Sequence, residues 1–448
     1  MEESLVPKDL RKSYTIEEIL SIEQKYMIPA VTHYYQNPIL IVGGEGAIVK
    51  DTSGKQYIDL FSGICTKITG HHHPKFVETL KWQIDQLTYT STLYSTVPYA
   101  ILSQKLAQIA PSGLTQTLIV NSGSEANESA LFMARKYKNN PYIVACTHAY
   151  HGRTQLTREI STSGWRTVPE AHPPGVRFTP YGYCYRCPFG KAYPECDIEC
   201  ARYLREVIKT QTNKAIAAFI VEPIQGVGGI IQPPPEFFQI TNEIVKEYDG
   251  LFIADEVQTG FGRTGDNWWG IQNSKVDPDI ITLAKGFGSG IPIAGFLTRP
   301  EYATEFTTTD SFTTFGGNPL SCAAAVAVIE IIQEEQYLKK AIKLGDNFKR
   351  HLQALKANHK IVGDIRGQGM MLGIELVCDQ DSKEPATQEM LEVMEICRQN
   401  GILIGKGGID GNVIRIQPPL ELTKEQVEKS CQILDYAFTK VENTMKKN

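Results

Sequence analysis

Short apolar runs alternate with amphipathic stretches through the middle of the chain, from about residue 100 to residue 325. Apolar runs of this length are typical of buried strands, and the stretches between them repeat their apolar positions at helical spacing. This alternation predicts an α/β domain with a mostly parallel sheet covered by helices on both faces. The predicted strands are 117–120, 142–146, 215–221, 251–254, 280–283 and 291–297, and the predicted helices include 125–137, 200–209 and 236–248.

The two ends of the chain have a different pattern. Residues 13–35 predict a helix and an arm, and residues 39–61 predict short strands broken by glycine-containing turns. Beyond residue 326 we expect a long helix, strands within 361–377, a helix over 386–400 and a last helix capped by Thr423 and Gln426. We therefore predict three segments: 1–95, an N-terminal arm with part of a small domain; 96–325, a large domain with a cysteine-rich insert at 181–200; and 326–448, a C-terminal small α+β domain.

Composition narrows the class of protein. The chain has 448 residues, a net charge of -5 and ten cysteines. A mildly acidic protein is a poor match for nucleic acid, so a small-molecule substrate is the better expectation. The first residues lack the apolar core of a secretory signal, and the longest apolar run, 215–221, is far too short for a membrane span. We expect a cytoplasmic protein with dilute, reduced cysteines.

Two charged residues stand at the ends of apolar runs. Lys285 ends the run 280–284 and opens onto a glycine-rich segment. Burial disfavours the ammonium, so such a lysine is readily deprotonated and can form a Schiff base with a carbonyl. Asp255 ends the run 251–254, and a buried carboxylate needs a cationic or hydrogen-bonding partner. The protonated ring nitrogen of pyridoxal phosphate would supply that partner.

The segment 121–127, NSGSEAN, links a predicted strand to a predicted helix. Glycine lets the backbone approach an anion, while the amides at a helix start and the serine hydroxyls can donate to phosphate. Ser122 and Glu125 also fit an ordinary helix cap. Phosphate becomes the better interpretation only beside Lys285 and Asp255.

Six motifs in this chain resemble those of the class-III aminotransferases, pyridoxal-phosphate enzymes of fold type I. They are SGSEAN from Ser122, YHG from Tyr150, EPIQG from Glu222, DEVQTGFGRTG from Asp255, AKG around Lys285 and TFGGNP from Thr314. The resemblance runs nearly end to end. It implies a large domain on a mostly parallel, seven-stranded type of sheet plus a smaller α+β domain.

The resemblance also implies roles for the motif residues. Lys285 would form the Schiff base and move the proton, and Asp255 would keep the ring nitrogen protonated. Gln258 would reach the phenolic oxygen, and Thr314 would donate to the phosphate across a homodimer interface, with assembly above the dimer left open. Tyr150 and Val257 would pack on opposite faces of the ring. The other implied cofactor contacts are Ser122, Gly123, Ser124, His151 and Glu222.

Substrate recognition is predicted from two positions. Arg415 alternates with apolar neighbours, as on one face of a strand, and a guanidinium can grip a carboxylate through two hydrogen bonds. The resemblance implies that Arg415 binds the substrate carboxylate, and an ion pair between the lobes is the alternative. Family members acting on ornithine or 4-aminobutyrate typically carry glutamate right after EPIQG, where this chain has Val227.

The sequence at Val227 and the segments 61–64 and 369–375 resemble those of the alanine:glyoxylate and β-amino-acid:pyruvate branch of the family. We expect a ping-pong aminotransferase that moves an amino group from an amino acid or ω-amino compound to pyruvate or glyoxylate. A racemase or epimerase on the same scaffold, and a 4-aminobutyrate or ornithine type of aminotransferase using 2-oxoglutarate, are the alternatives. An inactive binding protein is disfavoured, because it would need neither Lys285 nor Asp255.

A competing motif overlaps the catalytic one. Residues 260–265, GFGRTG, follow a predicted strand and fit the dinucleotide fingerprint G-x-G-x-x-G. The glycines of that fingerprint must open a helix, and residues 266–278 are too short and broken to form one. A dehydrogenase is therefore disfavoured.

Four cysteines lie close together in the insert: Cys184, Cys187, Cys196 and Cys200. Two short cysteine pairs can close a zinc or iron–sulfur site. Reduced thiols and a reversible disulfide are the alternatives, and the catalytic interpretation needs no metal.

Overall fold

The computed structural model describes residues 6–31, 33–162 and 174–446, and their strands form three sheets. The strands are β1 (Ile41–Glu45), β2 (Ile48–Asp51), β3 (Gln56–Asp59), β4 (Gln116–Val120), β5 (Ile143–Cys146), β6 (Val176–Thr179), β7 (Ala218–Val221), β8 (Leu251–Asp255), β9 (Ile280–Leu283), β10 (Ala294–Thr298), β11 (Val362–Gln368), β12 (Met371–Leu376), β13 (Ile402–Leu403), β14 (Gly405–Gly407) and β15 (Val413–Ile416).

The largest sheet has seven strands in the order β4-β10-β9-β8-β7-β5-β6. β10 runs in the opposite direction to the other six strands, and strands β5, β7, β8 and β9 are buried along their whole length. The predicted mostly parallel sheet is therefore confirmed. Two strand starts are shifted: the run 215–221 pairs as a strand only from Ala218, and the run 291–297 only from Ala294.

The helices are α1 (Lys8–Arg11), α2 (Ile16–Tyr26), the short turn α3 (Ser62–Cys65), α4 (Pro74–Gln86), α5 (Val97–Ile109), α6 (Gly123–Lys138), α7 (Gln155–Glu159), α8 (Glu199–Gln211), α9 (Phe237–Glu247), α10 (Pro300–Ala303), α11 (Pro319–Glu334), α12 (Tyr337–Asn358), α13 (Thr387–Gln399) and α14 (Lys424–Met445). The long helix expected beyond residue 326 is α12, but it begins only at Tyr337, because Gln336, with a φ of 54°, separates it from α11. The capping box of Thr423 and Gln426 is confirmed at the start of α14. No helix within these described parts of the chain is long and apolar enough to cross a membrane.

Two smaller sheets are built from the chain ends. One has the order β1-β2-β3-β13, so a strand from the C-terminal region pairs in parallel with the N-terminal strand β3. The other has the order β11-β12-β15-β14 and carries Arg415 on β15. The N-terminal segment therefore contributes to the same lobe as the C-terminal segment. The predicted boundaries at residues 95 and 325 stay predictions, and α11 runs across the second.

Candidate active site

The ends of the central strands surround a cavity of about 330 Å³. Parallel strands direct their carboxyl ends to one edge of a sheet, where the following loops can converge. The segments after β4, β5, β7, β8 and β9 all reach this cavity. Among its lining residues are Ser122, Gly123, Ser124, Tyr150, His151, Glu222, Asp255, Val257, Gln258 and Lys285. The fold thus brings together residues as far apart in the sequence as Ser122 and Lys285.

Lys285 follows directly after β9 and begins a short 3-10 turn. Its φ is 47°, a left-handed conformation that costs a non-glycine residue about 1 kcal/mol or more. Burial lowers the pKa of its ammonium group, while the nearby Cys65 and Asp255 partly oppose that shift. The strand end and the following turn therefore deliver an amine that is more easily deprotonated than an exposed lysine.

Asp255 is buried at the end of β8, with 3 % of its surface exposed. Its Oδ2 accepts a hydrogen bond from Asn127 Nδ2 at 2.8 Å and lies 2.8 Å from Nδ1 of His151. Its Oδ1 accepts from the backbone N–H of Val257 at 3.1 Å. Because a carboxylate only accepts, Nδ1 of His151 carries the proton in this pair. These contacts hold an anionic carboxylate at the cavity wall.

The first turn of α6 also lines the cavity. Ser122 caps this helix by accepting from the N–H of Glu125, and Ser124 Oγ accepts from the N–H of Arg153 at 3.0 Å. A Cβ at Gly123 would lie 3.2 Å from both methyl carbons of Val257, tighter than ordinary contact. Glycine thus keeps this cradle open, as an anion held by backbone amides requires.

Glu222 joins two loops at the cavity wall. Its two oxygens accept from the backbone N–H groups of Tyr150 and Gly226, each at 2.9 Å. Burial raises the pKa of Glu222 to about 7, although the nearby His151 opposes the shift. Glu222 therefore positions the Tyr150 segment. The predicted places of Tyr150 and Val257 on opposite faces of a ring stay predictions.

Arg415 enters from β15 of the smaller lobe and is buried, with 3 % of its surface exposed. Its Nη2 donates to Oε1 of Gln258 and to Oε1 of Gln417, each at 2.8 Å. The Phe61 ring lies beside the guanidinium, 5.0 Å from its centroid. Arg415 is thus joined to the cavity through Gln258, a lining residue.

Thr314 lies in an exposed loop, where its backbone carbonyl accepts from the hydroxyl of Tyr89 at 2.9 Å. It does not line the cavity of its own chain. Its predicted contact with phosphate therefore depends on a second chain.

Sequence reasoning gave no role to three residues of this site. Asn127 belongs to the SGSEAN motif. Its position one helical turn after Gly123 could have indicated that it lies at the site. Arg153, which lines the cavity, directly follows the YHG motif. Gln417 carried no signal, because it meets Gln258 only through the fold.

The dinucleotide interpretation fails on local structure. Residues 260–265 lie in turns and are followed by a 3-10 helix, Gly270–Ser274, so no α-helix opens on these glycines. Instead the buried carboxylate of Glu256 accepts from the N–H groups of Gly270 and Ile271.

The four insert cysteines are free thiols lining one cavity of about 10 Å³. Within the described ranges, only His73, Glu335 and Glu421 place three ligand atoms within 4.8 Å of one another. The four sulfurs are therefore spread more widely than a tetrahedral zinc site needs. The insert is tied to the smaller lobe by Arg186, whose Nε donates to Glu375 at 2.6 Å.

Residues 30–438 match the family model of the class-III aminotransferases, and the chain belongs to that family. It is 40% identical over 426 residues to alanine–glyoxylate aminotransferase 2 homolog 2, mitochondrial, of Arabidopsis thaliana, covering 94% of this chain and 87% of that protein. It is also 34% identical over 438 residues to the leucine/methionine racemase of Thermococcus litoralis, covering 97% of each chain. A solved Bacillus anthracis aminotransferase superimposes with a TM-score of 0.88 at 31% identity, covering 95% of this chain and 98% of that one. The resemblance in the motifs and the predicted fold class are thereby confirmed, and the protein is an aminotransferase enzyme.

Proposed function

We propose that this aminotransferase holds pyridoxal phosphate in the cavity at Lys285 and moves an amino group from an amino acid to glyoxylate or pyruvate. One observation carries the proposal: a half-buried lysine and a buried aspartate stand at the ends of the adjacent strands β9 and β8 and line one cavity. The same cavity is lined by a glycine at a helix start, which suits the phosphate of the same molecule.

The residues fit this cofactor at three points. Asp255, anionic and supported by Asn127 and His151, would hold the ring nitrogen protonated. Gly123 and Ser124 would hold the phosphate at the start of α6. Gln258 would donate to the phenolic oxygen, since its Oε1 is already occupied by Arg415.

When bound, pyridoxal phosphate supplies an aldehyde that captures the substrate amine and a cationic ring that accepts electrons as the substrate C–H bond breaks. The chain supplies the base: burial lowers the pKa of the Lys285 amine, and this amine would take the proton from the substrate carbon and deliver it to the cofactor. The Arg415 guanidinium holds the substrate carboxylate and so orients that C–H bond.

The choice of acceptor rests on Val227 and on the relatives. Val227 is a buried apolar residue where ornithine and 4-aminobutyrate enzymes of this family typically carry glutamate. The Arabidopsis thaliana relative is named for alanine and glyoxylate. Both support a small 2-oxo acid as acceptor and alanine or a similar amino acid as donor.

A racemase is the second candidate, because the Thermococcus litoralis relative is named leucine/methionine racemase. Incubation with a single L-amino acid and no oxo acid separates the two. An aminotransferase should stop after one turnover per site, whereas catalytic appearance of the D-form would reject transamination as the main activity.

The proposal is tested by borohydride reduction of the purified protein followed by peptide mapping. We expect the cofactor on a single peptide that contains Lys285, and none in Lys285→Ala. Labelling of another lysine in the native protein would refute the assignment. A screen of amino donors against pyruvate, glyoxylate and 2-oxoglutarate would then rank the acceptors, with a preference for 2-oxoglutarate contradicting our choice.

We also propose a homodimer with shared sites, because Thr314 needs a second chain to reach a cavity. A cytoplasmic location is supported by ten free thiols, which suit a reducing compartment. The Arabidopsis thaliana relative is named as mitochondrial, so cell fractionation is the deciding measurement.

A further inference from the structure

Three buried polar side chains form a closed triangle behind the cavity: Arg415, Gln258 and Gln417. Arg415 Nη2 donates to both glutamine Oε1 atoms at 2.8 Å, and Gln417 Nε2 donates to Gln258 Oε1 at 3.1 Å. Their exposed fractions are 3 %, 6 % and 0 %. A buried triangle with every bond made holds its members in one arrangement.

The direction of these bonds is fixed by chemistry. A guanidinium has no acceptor, so both amides must turn their oxygens toward Arg415. Gln417 must then present its NH₂ to the oxygen of Gln258. With Gln258 Oε1 receiving two donors, its own NH₂ is the end left to face another acceptor.

The backbone of Gln417 is held on both sides. Its backbone N–H donates to the carbonyl of Leu60 at 2.7 Å, and its carbonyl accepts from the hydroxyl of Ser62 at 2.6 Å. Space around Gln258 is also constrained: a Cβ at Gly226 would lie 2.2 Å from Gln258 Nε2. Gln417 thus links the Gln258 and Arg415 side chains, which come from different lobes, to a backbone position fixed by two hydrogen bonds.

We propose that Gln417 is a positioning residue that orients the Gln258 NH₂ toward the cofactor and the Arg415 guanidinium toward the substrate carboxylate. This inference rests on the proposed function. Gln417 itself touches neither molecule. Its side-chain amide contacts both Arg415 and Gln258, so one amide orients the side chain that binds the substrate and the side chain that binds the cofactor.

The test compares Gln417→Met with the native protein and with Gln399→Met, an exposed glutamine on α13. Methionine keeps the length of the side chain but can neither donate nor accept strongly. A hydrogen bond to the phenolic oxygen stabilises its anionic form, so losing a correctly turned Gln258 should raise the pH midpoint of the cofactor's visible absorbance by about half a unit or more. The KM for L-alanine should rise about tenfold, with kcat changing much less.

A second variant, Gln417→Glu, keeps an acceptor for Arg415 but cannot donate to Gln258 when ionised. It should raise the pH midpoint as methionine does, and raise the KM for L-alanine further, because its charge competes with the substrate carboxylate. Variants that bind cofactor with a native midpoint and a native KM would overturn the inference, as would a loss of thermal stability alone. A native protein without a visible cofactor band would instead refute the proposed function.

Discussion

Nδ1 of His151 lies 2.8 Å from Oδ2 of Asp255, and both side chains are buried. The histidine therefore donates a hydrogen bond that holds the carboxylate in place at the cavity wall. It comes from the loop after β5, whereas Asp255 ends β8, so the pair also ties together two loops of the site. The strength of cofactor binding should depend on this contact.

Replacing His151 with phenylalanine removes one of the two side-chain donors to Asp255 Oδ2. A hydrogen bond to a charged group contributes about 1.5–3 kcal/mol, so we expect the dissociation constant of pyridoxal phosphate to rise roughly 10- to 100-fold. Titration of the apoprotein by absorbance measures it. His351→Phe, on α12 and away from the site, is the control. An unchanged constant would show that Asn127 suffices.

Arg415→Lys keeps the positive charge but loses the planar pair of donors. We expect the KM of a carboxylate-bearing donor to rise about 10- to 100-fold, because two parallel hydrogen bonds become one point contact. Steady-state kinetics with L-alanine measures the effect, and the exposed Arg350→Lys is the matched control. Equal KM values in the two variants would place the substrate carboxylate elsewhere.

Sharing of sites can be tested with two inactive variants. Thr314→Asp should put a negative charge beside the phosphate of the other chain, and Lys285→Ala removes the base. If Thr314 serves its partner, a mixed dimer has one doubly defective site and one native site. Mixing the unfolded variants and refolding them together should restore up to about a quarter of native activity. Activity no higher than that of the separate variants would contradict a shared site.

Glu256 is predicted to make folding stability depend on pH. Burial raises its pKa from 4.5 to about 7, so the folded protein favours the protonated carboxyl. Its contribution to stability is complete below pH 4.5, falls between 4.5 and 7 and stays lost above 7. Relative to Glu256→Gln, native stability should fall by at most about 1.4 kcal/mol per pH unit in that window. Denaturant unfolding measures this, and the exposed Glu392→Gln should show no trend.

Local sequence predicted much of the central sheet, because its strands are buried on both faces and appear as unbroken apolar runs. β6 was missed because it is an edge strand and does not form an apolar run: its sequence, VRFT, alternates polar and apolar residues. The break between α11 and α12 was missed because both helices are apolar at helical spacing, and one left-handed residue, Gln336, separates them.

Some residues of the site could be predicted from the sequence and others could not. Residues at strand ends, such as Asp255 and Lys285, could be predicted because topology brings such ends to one edge. The triangle behind them could not, since Gln258 and Gln417 are 159 positions apart and lie in different lobes. Gln258 lies in a motif that predicts a cofactor contact, but Gln417 has no neighbour pattern that distinguishes it from a core or turn residue. Only the packing of β15 against the loop after β8 reveals their contact.

The parallel pairing of β3 with β13 links residue 58 to residue 402. During synthesis, almost the whole chain must therefore be made before β13 can pair with β3. Until then β3 has an unpaired edge, to which other strands can bind. A ribosome-bound chain that ends before β13 should accordingly depend on chaperones, while the larger domain can already fold.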